Sequence, residues 1–485
     1  MLEQSHLLCS NRAVETDKDT SPAEQPEKPV WKDRLPDWQT MLCLLLLLIL
    51  GILARVELFR GEEPQLVPDS GSYIMPAERL LNEGSIASRI RPPGYPLFLS
   101  MIYFICGESA HHAVVKAQHA IGIAVSLIWF GTFLLLIGNR WAALSCAAVI
   151  GLNYKVISFE GVILTEALCI FLVTAHACAL VFYLQPEKGR SLKWIWPVVG
   201  TQAMLTLTKP FFMFLPLFVL PLLVFRWHRF AGETPTNPAS VRKASGIYIA
   251  GWLLPILLWQ SVNCYHFGKF QFSQVRRYNL LGKVMQIKQY EFAPDEYSTL
   301  ARHIKNSSIP SPYHLEKDLS EKGVLPDTDT LEAMCKACIL RAPFHFLISN
   351  LKLIPSVLGA KLYPSVGVPS KSRSRWMSRF IDWVNRYTSG PWKLSFALVF
   401  VIILILAAAG PAKAGFPVLF WWQNAALGLV FIYSLLMATF AGYTDFGRLT
   451  IVAAPVQQYF KFLFLPYLVW VYGKYKWERR MAGNS

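Results

Sequence analysis

Residues 41–53 of this chain carry no charge and are almost continuous Leu and Ile. Such a run has no polar face to turn towards water, and several later stretches repeat it. Apolar runs of ~20 residues are long enough to cross hydrocarbon as helices, which satisfy their own backbone hydrogen bonds. Composition agrees. Of the 485 residues, 53% are hydrophobic and 16% charged, whereas a soluble chain carries about 25% charged residues. The expected fold class is all-α: a polytopic membrane bundle of about ten transmembrane helices with one larger outer loop domain.

The formal net charge is +16, but most of it lies in short loops and tails between apolar runs. There it sets orientation, and no nucleic-acid partner is expected. Lys28, Lys32 and Arg34 precede a first span at 38–58, which puts the N-terminus inside. Residues 1–37 mix both charge signs with several prolines and read as a disordered cytoplasmic tail, and the first span reads as an uncleaved anchor. Residues 38–262 then form a transmembrane core with a first outer loop at 59–111, its inner loops marked by Arg140, Lys188, Arg190, Arg229 and Arg242.

Residues 263–392 are the one sizeable soluble region and are expected outside. Residues 393–473 return as C-terminal spans near 394–409, 416–440 and 450–472, and 474–485 end as a cytoplasmic tail. Within the outer region, 344–366 is almost long enough to span. Asn350, Lys352, Pro355 and Lys361 instead favour a helix lying in the interface. The expected location is the plasma (inner) membrane, multi-pass, with the working face outside and membrane lipids as constant partners.

The first outer loop reads Pro68-Asp69-Ser70-Gly71-Ser72-Tyr73 and, further on, Arg91-Pro92-Pro93-Gly94-Tyr95-Pro96. On these residues the chain resembles the GT-C glycosyltransferases, in the branch that holds the protein O-mannosyltransferases and the bacterial aminoarabinose transferases for lipid A. Asp69 and Tyr73 fit that family's D-x-x-x-Y element, and Arg91-Pro92-Pro93 fits its basic-Pro-Pro motif. Thr165-Glu166 stands where the family has a Thr/Ser-acid pair, Lys209-Pro210 where it has a Lys-Pro turn, and Arg448 where it has an Arg before a late span. The likeness covers 38–216 by motif and the remainder by topology only.

The resemblance implies a GT-C bundle that transfers a sugar, with inversion, from a polyprenyl-phosphate donor to a glycan, lipid or protein acceptor outside the cytoplasm. Asp69 and Glu166 would be its catalytic acids, Arg91, Lys209 and Arg448 its donor-phosphate ligands, and Tyr73 and Tyr95 its substrate contacts. The family often carries a second acid beside the first, and here Ser70 takes that place. One carboxylate among hydroxyls is a poor cage for a divalent ion, so no metal or other cofactor is assigned.

The chemistry fits the residue types independently. Transfer from a lipid phosphate needs a base for the acceptor's proton and cations for the departing phosphate. Arg suits phosphate through its planar fork, and Lys acts as a point charge. Each position also has an ordinary structural reading. Asp69 would cap the helix beginning near Tyr73. Arg91 and Arg448 would be interface anchors, Lys209 a solvated turn, and Glu166 a favourable charge at a helix start.

Two other patterns are set aside. Asp327-Thr328-Asp329 has the D-x-D form, but Asp329 with Glu332 reads as an N-cap and its capping-box partner. Cys335 and Cys338 form a C-x-x-C with no second pair, so no zinc site is expected. The rival function is a transporter or flippase of lipid-linked sugars. That class places ionisable groups near the bilayer midplane, whereas here they cluster at span ends.

Overall fold

A computed structural model describes residues 37–59, 62–184, 193, 195–229, 238–358, 379, 418–443, 446–459, 473 and 477. Side chains are described for all of these except 225–229, 238–241, 328, 418–422 and 446–448. Among the described residues every element is helical, apart from one isolated parallel bridge between Gln65 and Val162.

Among the described residues five helices are long and apolar enough to cross a membrane: α1 (Trp38–Phe59), α4 (His111–Ile137), α7 (Glu166–Tyr183), the Arg242–Phe267 part of α10 (Pro238–Phe267), and the Gln423–Phe440 part of α17 (Val418–Phe440). Two bent helix pairs would bring the number to seven. One of them covers the apolar stretch 142–157, which by its sequence alone is expected as one unbroken third span. It is broken into α5 (Arg140–Gly151) and α6 (Tyr154–Ser158), bent by 45° where the Asn153 side chain accepts from the Lys155 N–H and starts a new helix.

The apolar runs on either side of the Thr208-Lys209-Pro210 turn, expected from the sequence as a fifth and a sixth span, form short helices. α8 (Ile195–Thr208) has 14 residues, and the apolar stretch that follows, Pro210–Val224, contains most of α9 (Leu215–Arg229). The expected spans at 394–409 and most of 450–472 lie outside the described residues, as do 1–36 of the expected N-terminal tail.

The connection between α1 and α4, expected as the first outer loop, carries α2 (Gly71–Glu83) and α3 (Gly94–Cys106). The loop domain carries α11 (Val275–Gln286), α12 (Ser298–Asn306), α13 (Pro312–Glu321) and α14 (Thr328–Arg341) around a small core of its own. Leu281, Leu315, Leu331 and Met334 are fully buried in that core. Cys335 and Cys338 lie there too as free thiols, so the C-x-x-C is core packing.

The D-x-D segment caps a helix, but the capping residue is Asp327. Its carboxylate accepts from the N–H groups of Asp329 and Thr330, both at 2.7 Å. Asp329, expected as the cap, instead meets Lys269 at 3.0 Å, and Glu332 pairs with Arg276 and Lys336. The displacement has a simple cause. The residue just before the first helical turn is the one whose side chain reaches the unsatisfied N–H groups.

Segment 344–366 is also more broken than its apolar pattern suggests. Its described part forms α15 (Pro343–Leu351) and α16 (Ile354–Leu358), turned by 89° from α14. Phe346 packs on Phe440 at the end of α17, with ring centroids 6.3 Å apart.

One end of the core is tied together by a buried carboxylate. Glu160, in the 3-10 turn Phe159–Gly161, accepts from both Nε and Nη2 of the Arg55 guanidinium on α1, at 2.7 and 2.6 Å. His119 Nδ1 from α4 lies 2.8 Å from the same carboxylate. Arg55 is 4% exposed and Glu160 1%. Buried charges of this kind persist only when paired and hydrogen-bonded.

Removing one partner strands the other. Glu160→Leu is expected to cost about 3–5 kcal/mol. The double change Arg55→Met with Glu160→Leu should recover most of that loss. Unfolding in detergent checks both, and an unchanged melt for the single variant would remove the pair from this role.

Candidate active site

The 3-10 turn held by Arg55 leads into the segment that organises the connection between α1 and α4. The Gln65 N–H donates to the Gly161 carbonyl at 3.0 Å, and the Ile163 N–H donates to the Gln65 carbonyl at 3.1 Å. Ser70, 1% exposed, closes this clasp. Its hydroxyl donates to the Ile163 carbonyl at 2.9 Å and accepts from the Val67 N–H at 3.0 Å. The residue in the family's second-acid place therefore fastens the loop to the bundle just beside Asp69.

Asp69 sits at the turn into α2, its carboxylate 41% exposed and 2.9 Å from Arg91 Nη2. Ser70 holds the N-cap position of α2 without a side-chain cap bond. Arg91 is fixed on three sides. Nη2 meets Asp69, Nε donates to Ser72 Oγ at 2.8 Å, and the guanidinium carbon lies 4.4 Å from the centre of the Tyr73 ring. The last contact is a cation–π arrangement that holds the guanidinium over the ring.

Behind it, Tyr73 meets Tyr95 edge to face at 5.3 Å. The Tyr95 hydroxyl donates to Gln118 Oε1 at 2.9 Å. The Gln118 amide nitrogen donates in turn to the carbonyls of Glu160 and Val162, both at 2.9 Å. Gln118 is fully buried and thus links Tyr95 to the Glu160 turn.

A second ion pair completes the cluster. Glu166, at the start of α7, lies 2.9 Å from Lys209 Nζ, at the end of α8, and is itself fully buried. The two pairs meet through the start of α3. A Cβ on Gly94 would stand 2.6 Å from Thr208 Oγ1 and 2.7 Å from the Thr208 backbone nitrogen. Without a side chain at 94, the Arg91-Pro92-Pro93 segment lies directly against the Thr208-Lys209 turn. Pro92 and Pro93 offer no N–H, so this approach leaves no donor to satisfy.

Six of the seven residues singled out from the sequence, Asp69, Tyr73, Arg91, Tyr95, Glu166 and Lys209, therefore gather at one end of the bundle. Arg448 lies on α18 (Phe446–Ile451), and its side chain falls outside the described residues. The sequence reading assigns no role to Arg55, Gln118, His119 or Ser72. For Arg55 a signal exists, since an ionisable group inside a span calls for a buried partner. Among the described residues no group of three or more His, Cys, Asp or Glu is arranged to hold a metal ion.

No protein-family model matches the chain, and no curated protein matches it. Solved structures do. The protein O-mannosyltransferase Pmt1-Pmt2 complex of S. cerevisiae, bound to its sugar donor, aligns with 50% of this chain and 35% of its own, at 13% identity and a TM-score of 0.38. The oligosaccharyltransferase AglB of Archaeoglobus fulgidus, in complex with an inhibitory peptide and a dolichol-phosphate, aligns over 92% of this chain and 52% of its own, at 11% identity and a TM-score of 0.46. ArnT of Cupriavidus metallidurans, bound to undecaprenyl phosphate, aligns over 86% and 77%, at 11% identity and a TM-score of 0.36. The chain thus spans 35% of the length of the first of these and 52% of the second. At these scores the likeness by itself assigns nothing to the chain.

The close approach at Gly94 is directly testable. Gly94→Ala should lower the melting temperature in detergent, because its methyl would press on backbone atoms of Thr208 and Leu207. Gly131→Ala, where a Cβ meets nothing within 4 Å, should leave it unchanged or raise it slightly. Equal melts for the two variants would contradict the contact.

Proposed function

We propose that this chain is a membrane glycosyltransferase of the GT-C kind, working outside the cytoplasm on a polyprenyl-phosphate-linked sugar. The single observation that carries the reading is the meeting of Asp69 and Arg91 at 2.9 Å. A partly exposed carboxylate and a guanidinium, drawn from two separate motifs of one loop, stand side by side at one end of an apolar bundle. A base and a phosphate ligand must flank one sugar, and this arrangement supplies both types of group.

The step follows from the groups. An acceptor hydroxyl attacks the anomeric carbon while Asp69 takes its proton. The bond from that carbon to the phosphate oxygen breaks on the opposite face, and its electron pair leaves with the lipid phosphate, inverting the anomeric centre. With Nε and Nη2 of Arg91 engaged by Ser72 and Asp69, the Nη1 end of the fork offers N–H donors to a phosphate oxygen. Lys209 adds a point charge, and Arg448 is the third cation of the proposed clamp. Buried beneath Lys209, Glu166 holds that ammonium in place as a structural counter-charge. Tyr73 and Tyr95 form the aromatic wall behind the fork and are proposed to border the sugar.

The Asp69→Asn variant keeps the size and hydrogen-bonding capacity of the side chain while removing the base. Cells carrying the wild-type gene, the variant or no gene would be compared by mass spectrometry of their glycolipids and glycans. The variant is expected to insert at normal levels, accumulate the lipid-phosphate sugar, and form product slower by a factor on the order of 10². Wild-type product in the variant would remove Asp69 as the base. Identical glycolipids and glycans with and without the gene would overturn the function.

A further inference from the structure

Arg91 is positioned from a second direction, by the loop domain. The Gln274 N–H donates to the Arg89 carbonyl at 2.9 Å, and the Ser273 hydroxyl donates to the Ile90 carbonyl. Ser273 also accepts from the Val275 N–H at 3.2 Å, so the residues gripping 89–90 are continuous with the start of α11. Arg89 itself lies over Phe267, 4.9 Å from the ring centre.

The far end of α11 grips a different element. Lys283, 1% exposed, donates through Nζ to the Thr439 carbonyl at 2.7 Å and to Gln286 Oε1 at 2.9 Å. A Cβ on the neighbouring Gly282 would stand 2.5 Å from the Tyr443 ring, so the helix lies flat on that ring. Thr439 is in the last turn of α17, whose carbonyls have no partner within the helix, and a cation is the favoured donor there. Between its ends α11 is braced by the Arg277–Glu316 pair at 2.7 and 2.8 Å and by Leu281 and Val284 in the loop-domain core.

We infer that α11 is a strut that sets the Arg91 segment at a fixed distance from the end of α17, with Ser273 and Lys283 as its positioning residues. The helix rises 1.5 Å per residue, so the two grips are about 15 Å apart along a rod. One grip flanks the residue proposed to meet the lipid phosphate. The other holds the helix end from which the chain runs on towards α18, the element that carries Arg448. The consequence for affinity rests on the proposed reading of Arg91 as a phosphate ligand. The mechanical claim does not depend on it. Burial pulls the Lys283 ammonium down to about 8, which accords with a desolvated donor held on a carbonyl.

The test uses the full chain in detergent, as Lys283→Met, Lys283→Arg and Ser273→Ala, each with and without Arg91→Ala. Hydrogen exchange at residues 86–91 reads the strut. Lys283→Met should raise exchange there about fivefold or more, corresponding to roughly 1 kcal/mol of lost local stability. Ser273→Ala should do the same, and Lys283→Arg should largely restore protection. Unchanged exchange in both Lys283→Met and Ser273→Ala would overturn the strut.

Affinity for undecaprenyl phosphate reads the consequence. Lys283→Met should weaken it about fivefold in the wild-type background and add nothing once Arg91 is Ala, because the two act through one contact. Raised exchange with unchanged affinity would overturn the link to phosphate. If Arg91→Ala alone leaves affinity intact, the reading of Arg91 fails, and the exchange result still decides the strut.

Discussion

The end of this bundle that holds the candidate site depends on the carboxylate of Glu160. It is almost wholly buried, it accepts from Nε and Nη2 of Arg55, and His119 lies against it. The turn that carries it is held by its backbone as well, through Gln118. From that turn the chain runs to Val162 and Ile163, which pair with Gln65 and clasp Ser70, and then to Glu166, which holds Lys209. The groups of the candidate site are therefore chained to the same buried ion pair, Tyr95 through Gln118, Tyr73 and Arg91 through Tyr95, and Asp69 through Arg91. An isolated charge at that depth would be prohibitive, so the pair forms as a unit or not at all. That condition is what makes the arrangement specific.

Burial separates the carboxylates of the two ion pairs. Glu166 is fully buried, an environment in which the pair is rigid and the carboxylate is closed to solvent. Asp69 is far more open, while their partners Lys209 and Arg91 are covered about equally, at 12% and 14% exposed. An acid that must take a proton from an incoming acceptor needs access, and a cation that must meet a lipid phosphate needs a fixed fork. The Tyr73 ring and Ser72 supply that fixity locally, and α11 supplies it from the loop domain.

The membrane class was legible in composition and in the length of the apolar runs, because a helix in lipid must be apolar nearly all round. Helix ends were less legible. Asp327 and Asp329 are two residues apart and equally suited as caps by type, and only the backbone decides which carboxylate reaches the free N–H groups. The break at Asn153 lies inside an apolar stretch, and the one mark beside it, Gly151 at the end of α5, looks no different from glycines such as Gly122 and Gly131 inside unbroken helices. Asp69 and Arg91 were legible as motif residues, but their pairing was not, since neither hydrophobic period nor spacing says what two loop residues touch. Gln118 and Ser273 work through backbone carbonyls, and contacts of that kind leave no trace in a single sequence.

The central claim is that a lipid phosphate is held at the outer end of the bundle, between the fork of Arg91 and the ammonium of Lys209. A structure of the full chain in a lipid nanodisc with undecaprenyl phosphate tests it directly. The account predicts the phosphate within hydrogen-bond distance of Arg91 and Lys209, with its chain running along the bundle into the hydrocarbon. A phosphate bound instead at the opposite end of the spans, or one that leaves Arg91 and Lys209 untouched, would contradict it.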